Sequence, residues 1–75
     1  MTKKLIIHIN DLKKEYNISL RELSRLTDIG HARLSELANG KKKRIQIDYI
    51  ERIADALEIN DISKIISLIE VEENN

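Results

Sequence analysis

The chain has 75 residues, the length of a single domain spanning 1–75, and its lack of cysteine excludes disulfides and thiolate metal sites. The early apolar run ends too soon for a signal peptide, and no stretch approaches the about 18 apolar residues of a membrane span, so we expect a cytoplasmic protein. Formal net charge is zero, but residues 1–44 carry 11 basic and 5 acidic side chains (net +6) and residues 45–75 carry 2 and 8 (net −6), which favours one basic face toward a polyanion.

The first predicted elements are a short strand and a helix. Residues 3–9 alternate loosely and include β-branched side chains, which indicates a strand. Asn10 is a candidate N-cap, and Leu12 and Tyr16 lie about one helical turn apart. The first helix is therefore expected at about 10–16.

A second helix is predicted at about 20–27. Ser19 and Glu22 have the spacing of a capping box, in which the serine accepts from a backbone N–H and the glutamate reaches back. Apolar residues then recur at every third position, namely Leu20, Leu23 and Leu26.

A turn at 28–30 separates this helix from a third one, predicted at about 31–38. Asp28 tolerates the left-handed backbone conformation better than most residues, and Gly30 is a weak N-cap. Gly40 can take a positive φ and end the third helix. Two short helices joined by such a turn form a helix-turn-helix.

The clearest helical pattern lies in the second half of the chain. An i, i+3, i+4, i+7 stripe predicts a fourth helix on Ile50, Ile53, Ala54 and Leu57. Asp48 with Glu51 is a second capping pattern at its start. Asn60 is expected to cap a fifth helix at about 61–66.

The last predicted element is a strand at 67–72, where polar and apolar residues alternate. An isolated pair of strands is marginally stable unless it packs on something. We expect this strand to pair with residues 4–9 and close on the helical core.

The third helix has two different faces. Projection at about 100° per residue places Leu34 and Leu37 on an inner face. Arginine can donate to guanine, glutamate can accept from cytosine, and an alanine methyl can meet the thymine methyl. The candidate base-reading residues of the outer face are His31, Ala32, Arg33, Ser35 and Glu36. Any surface helix has a polar outer face, so this pattern alone does not decide the function.

The basic run after the third helix adds a second feature. It consists of Lys41, Lys42, Lys43 and Arg44. Cations just beyond a recognition helix can meet phosphates, which supply affinity and register but no sequence preference. A turn-linked helix pair followed at once by four cations favours double-stranded DNA as the partner.

Four segments together carry a family resemblance: 19–24, 28–30, 34–41 and 53–59, with Asn39-Gly40-Lys41 and Ile53-Ala54-Asp55-Ala56-Leu57 as the specific parts. They resemble the phage-repressor-like Xre/Cro family of helix-turn-helix regulators, and in particular its compact single-domain bacterial or phage members. The chain departs from the family pattern where Asp28 replaces a usual glycine, Gly30 a frequent serine or threonine, and Ala38 a frequent glutamate.

The resemblance implies an all-α, lambda-repressor-like bundle of five helices, to which the alternation at 3–9 and 67–72 adds a small antiparallel pair of terminal strands. It implies that the third helix enters the major groove, while the start of the second helix, Asn39 and the basic loop meet the DNA backbone. Gly30 removes a hydroxyl that could bind a phosphate. The implied DNA-binding set is Ser19, Leu20, Gly30, His31, Ala32, Arg33, Ser35, Glu36, Asn39, Lys41, Lys42, Lys43 and Arg44.

These features predict a sequence-specific transcriptional regulator, a repressor by resemblance, that binds double-stranded DNA as a homodimer. Dimers of this kind reach two half-sites about 34 Å apart. The apolar tail supplies material for an interface, although it could instead pack on its own core. Its residues are Ile62, Ile65, Ile66, Leu68, Ile69 and Val71.

Other functions are less well supported. His31 with Ser35 and Asp28 could suggest a general base, but no oxyanion arrangement accompanies them, and His8 with His31 lacks the pattern of a metal pair. We expect no enzyme activity, cofactor, metal or small-molecule ligand. With two tyrosines and no other aromatic side chain except histidine, the chain lacks stacking platforms for single-stranded RNA. A protein-interaction module of the antitoxin or anti-repressor type is the main alternative, supported by the acidic second half.

Overall fold

The computed structural model describes residues 2–40 and 44–72. Within these ranges the elements in chain order are β1 Thr2–Ile7, α1 Ile9–Tyr16, α2 Leu20–Thr27, α3 His31–Ala38, α4 Ile47–Leu57, a 3-10 turn Ile62–Lys64 and β2 Ile66–Val71. None of these helices is long and apolar enough to cross a membrane. The second and third helices have the predicted bounds.

The terminal strands pair as predicted, antiparallel from Thr2 opposite Val71 to Ile7 opposite Ile66. Strand β1 ends two residues earlier than expected because His8 already turns the chain. The His8 backbone N–H donates to the Ile65 carbonyl at 2.7 Å, and its Nε2 lies 2.6 Å from the Ser67 hydroxyl. His8, and not the predicted Asn10, is therefore the N-cap residue of α1.

The expected all-α fold with five helices is wrong in two respects. The described residues form a two-stranded sheet as well as helices, so the fold is not all-α. They contain four α-helices, and the predicted fifth helix at 61–66 is only a 3-10 turn that leads into β2. Asp61, and not Asn60, caps this turn: its Oδ1 accepts from the backbone N–H of Ser63 at 3.0 Å and from its hydroxyl at 2.7 Å. Both hydrogen bonds lower the pKa of Asp61, and the bond from the hydroxyl has the larger effect. A single turn between Asn60 and a paired strand is too short to sustain an α-helix.

The capping prediction for α2 is confirmed in part, and the one for α4 is wrong. Ser19 accepts from the Glu22 backbone N–H at 3.0 Å, which confirms the first half of the capping box. The Glu22 carboxylate is bound by the Arg25 guanidinium, which lowers the pKa of Glu22. Helix α4 begins at Ile47, so Asp48 is not its cap but lies in its first turn.

The apolar residues of the predicted helices and of the turn at 28–30 predict a core of ten residues: Ile9, Leu12, Leu23, Leu26, Ile29, Leu34, Leu37, Ile50, Ile53 and Leu57. Eight of them, all except Leu26 and Ile50, are buried in the core of the structure. The prediction that Leu26 is buried is wrong, because this residue is 42% exposed. Ile50 is only half-buried against the core. Along an α-helix, a residue three positions after Leu23 lies about 60° away from it around the helix axis, whereas a residue four positions after it lies only about 40° away. The fourth position therefore stays closer to the buried face. That residue is Thr27, which is buried and donates its hydroxyl to the Leu23 carbonyl at 2.7 Å.

Two further core residues lie outside the predicted ten, although one of them, Ile65, belongs to the apolar tail for which packing on the core was an open alternative. Ile59 and Ile65 are buried although they lie in irregular segments after α4. Neither belongs to a helical or strand repeat, so no periodicity marked them. The carbonyl of Ile65 also accepts the hydrogen bond from the His8 N–H. This bond holds the sheet against the helical core.

Candidate nucleic-acid interface

The turn between α2 and α3 is held by side-chain hydrogen bonds from α2. Ser24 donates its hydroxyl to the Ile29 carbonyl at 2.5 Å, and the Ile29 N–H donates to the Thr27 hydroxyl at 3.3 Å. Ile29 itself is buried in the core. Asp28 takes the left-handed conformation at φ 57°, as predicted, and Gly30 is the N-cap of α3. These bonds hold the conformation of the turn that joins α2 to α3.

Arg52 of α4 fixes the same turn from outside. Its Nη1 donates to the Asp28 carbonyl at 3.0 Å, and its Nη2 lies 3.3 Å from the Asp48 carboxylate one helical turn earlier. The guanidinium carbon lies 5.9 Å from the centre of the Tyr49 ring. Sequence reasoning missed this role, although a single arginine four residues after an aspartate in an acidic segment was a usable signal.

The third helix separates its two faces as predicted. Leu34 and Leu37 are 0% and 3% exposed and join the core. His31, Ala32 and Arg33 are exposed on the outer side of the first turn. The other two predicted base-reading residues, Ser35 and Glu36, are half-buried, so they lie closer to the helix border.

The end of α3 leads into the basic segment. Asn39 is the C-cap and is exposed, and Gly40 takes the predicted positive φ of 68°. The predicted phosphate contacts Lys41, Lys42 and Lys43 lie outside the described residues. Arg44, the next residue along the chain, is exposed.

A shallow cleft of about 400 Å³ brings the outer face of α3 together with the segment before α4. Arg33 and Arg44 both line it, with Leu37 and Ile45 between the two elements. Gln46 and Tyr49 complete the lining, and neither was among the predicted site residues. Gln46 is exposed at the start of α4, so it adds a hydrogen-bonding side chain to the edge of the candidate interface.

The start of α2 offers a different kind of contact. Ser19 is exposed, but its hydroxyl oxygen already accepts from Glu22. Leu20 is half-buried and packs against the core, so its side chain faces inward and only its backbone N–H is suited to an anion. Of the two predicted residues here, only Ser19 presents a side chain to a ligand.

The assembled surface is thus a turn-linked helix pair with a polar outer face and two arginines beside it. A family model for the Cro/C1-type helix-turn-helix DNA-binding domain matches residues 8–70. The chain belongs to this family. No curated protein and no solved structure matches the chain significantly.

Membership in the Cro/C1-type family confirms the resemblance to Xre/Cro regulators and identifies the chain as a DNA-binding helix-turn-helix protein. The matched residues include α1 to α4 and end within β2, so they contain the whole candidate interface. Strand β1 lies outside the match.

The two histidines of the Cro/C1-type domain have different surroundings. His8 bridges Ser67 and Asp11, whose Oδ2 lies 3.2 Å from the His8 Nδ1, at the corner between β1 and α1. His31 opens α3 on the exposed side. Within residues 2–40 and 44–72 no three His, Cys, Asp or Glu side chains are grouped as they would be to hold a metal ion.

Proposed function

We propose that this Cro/C1-type protein is a sequence-specific transcriptional repressor that reads double-stranded DNA with α3 in the major groove. The observation that carries the proposal is the exposed outer face of α3 next to the cleft shared by Arg33 and Arg44. A single α-helix fits the major groove, where each base pair has a distinct donor and acceptor pattern.

Base reading is assigned to the outer face of α3. Arg33 is the strongest specificity candidate, because a guanidinium can donate twice to one guanine. His31 and Ala32 are exposed beside it in the first turn, and Ser35 and Glu36 flank that surface. Glu36 is suited to accept from cytosine N4, and Ala32 to contact a thymine methyl.

Phosphate contacts are assigned to the residues around α3. The start of α2 supplies Ser19 and the Leu20 backbone N–H, and Gly30 leaves the N–H groups at the start of α3 uncovered by a side chain. Arg44 and Asn39 are exposed at the other end. Lys41, Lys42 and Lys43 complete the set from their sequence positions.

Selection of bound duplexes from a random DNA pool tests the proposal. We expect one sequence to be enriched, and its affinity to exceed that of a scrambled duplex and to fall steeply with salt. A repressor should also lower expression from a reporter promoter that carries the selected sequence. If the protein binds no duplex even at low salt, the DNA assignment is wrong and the protein-interaction function becomes the better explanation.

The proposed repressor acts as a homodimer, because one helix-turn-helix reads few base pairs. The predicted apolar tail divides in two: Ile65 and Ile66 pack on the core, whereas Leu68 is 66% exposed. Leu68 pairs across the sheet with Leu5, which is 46% exposed. These two leucines form an apolar patch available to a second copy.

Sedimentation of the protein at high concentration, alone and with a selected duplex, tests the dimer. We expect a dimer on DNA, and we expect Leu68→Lys to reduce dimerisation while leaving the helical signal in circular dichroism unchanged. A strictly monomeric mass under both conditions would contradict the dimer without contradicting DNA binding.

A further inference from the structure

A groove of about 230 Å³ lies between β1 and the end of α3. Lys4 of β1 lines it together with Asn39, Gly40 and Arg44, three residues at or next to the proposed phosphate-contacting surface. The strand therefore reaches the edge of the candidate DNA interface, although it is far from α3 in sequence and lies outside residues 8–70 of the family match.

This groove is continuous with the cleft beside α3. Leu37, Arg44 and Ile45 line both depressions, so Arg44 stands between them. Arg33 of α3 lines the cleft, and Lys4 of β1 lines the groove. The three basic side chains thus follow one edge of the molecule from the recognition helix to the sheet.

The two lysines of β1 differ in their electrostatic surroundings. Lys3 Nζ lies 3.0 Å from the Glu70 carboxylate on β2, which offsets its charge. Lys4 points to the opposite face of the strand, where its cross-strand neighbour is the uncharged Ile69. In the described part of the chain, no ion pair involves Lys4 and no carboxylate lines its groove.

Two like charges without a carboxylate attract an anion more strongly where apolar walls keep water away. Here Lys4 and Arg44 line one groove together with Ile45 and with Ile6, which lies on the same face of β1 as Lys4. We propose that Lys4 binds a backbone phosphate of the DNA duplex beside the segment read by α3, so that β1 extends the DNA interface. This inference rests on the proposed function, because it requires a duplex docked on α3.

The test compares Lys4→Ala with Lys3→Ala on one duplex of arbitrary sequence across a salt series. Both variants remove one positive charge from β1, so Lys3→Ala controls for net charge. Each lost phosphate contact lowers the salt slope by about 0.9, so the affinity lost between about 50 and about 200 mM salt should be about 3.5-fold smaller for Lys4→Ala than for the parent protein. We expect Lys3→Ala to keep the parent slope.

Lys4→Arg should restore the parent slope, since it retains the charge at the same strand position, and circular dichroism should show all three variants folded. The inference is overturned if Lys4→Ala keeps the parent slope, or if both alanine variants lower it equally. In those cases the parent still binds DNA and the proposed function stands. If the parent protein binds no duplex, the proposed function and this inference fail together.

Discussion

The two faces of α3 share one helix of eight residues but have opposite roles. Leu34 and Leu37 on the inner face are buried against the core, whereas His31, Ala32 and Arg33 on the outer face are exposed. Packing dictates the residue types of the inner face, whereas the described part of the chain leaves the first turn of the outer face exposed. We therefore expect stability and DNA sequence preference to respond to different substitutions in the same helix.

The largest expected effect is on stability, from the inner face. Leu34→Ala should lower the free energy of unfolding by about 2–5 kcal/mol, because it leaves a cavity in a fully packed site. Urea unfolding measures this change. Arg33→Ala, which truncates an exposed residue on the same helix, should stay within about 0.5 kcal/mol of the parent. An unchanged melting temperature for Leu34→Ala would contradict the orientation of α3.

The second effect is on DNA binding, from the outer face. Arg33→Ala should weaken binding to the selected sequence by about 1–3 kcal/mol and relax the preference at one base pair. Arg44→Ala should instead weaken binding to all sequences alike and lower the salt slope by about 1. Binding of both variants to selected and scrambled duplexes measures the difference. The division fails if Arg44→Ala changes the base preference and Arg33→Ala does not.

The third prediction concerns Ser19, which contributes both to stability and to the proposed DNA contacts. As the N-cap of α2 it accepts from the Glu22 N–H, so Ser19→Ala should cost about 1 kcal/mol of stability. Ser19→Asp keeps a capping oxygen but adds a negative charge where a phosphate is proposed. We expect Ser19→Asp to retain the parent stability and to lose DNA affinity. Equal DNA affinities of Ser19→Asp and the parent would remove Ser19 from the interface.

Much of the fold could be predicted because local signals agreed with the tertiary structure. The bounds of α2 and α3 followed from Ser19, Asp28 and Gly30, each of which has the backbone role that its residue type suggested. The strand pairing followed from alternation at the two ends of the chain. The prediction of a fifth helix failed because the local sequence around Asn60 does not reveal that β2 pairs with β1. That pairing places the residues from Ile66 onward in a strand.

The candidate site was predictable only as far as single-helix periodicity extends. The exposed first turn of α3 could be found by projecting one helix. The same projection does not identify Arg52 and Gln46, because they belong to α4 and to its N-cap and their places beside the turn and the cleft depend on the tertiary fold. The inward side chain of Leu20 was missed for a similar reason: its role depends on what α2 packs against.

The smallest expected effect lies on the exposed side of α2, where Arg25 binds the Glu22 carboxylate. The hydrogen bond from Arg25 is the main cause of the lowered pKa of Glu22. A lowered folded-state pKa means that the ion pair adds stability above the ordinary pKa of a glutamate and loses that contribution as the pH falls through the lowered value. The effect is small because both groups are exposed and screened.

Glu22→Gln should therefore be slightly less stable than the parent at neutral pH and equally stable in acid, once the parent glutamate is protonated. Urea unfolding of both proteins across an acid series measures the difference between them. Asp61, whose pKa is also lowered, is present in both and cancels in that difference. A constant difference at every pH would mean that Glu22 acts through packing and not through its charge. Because this ion pair lies outside α3, the variant should keep the base preference of the parent, which extends the separation of stability from specificity to the neighbouring helix.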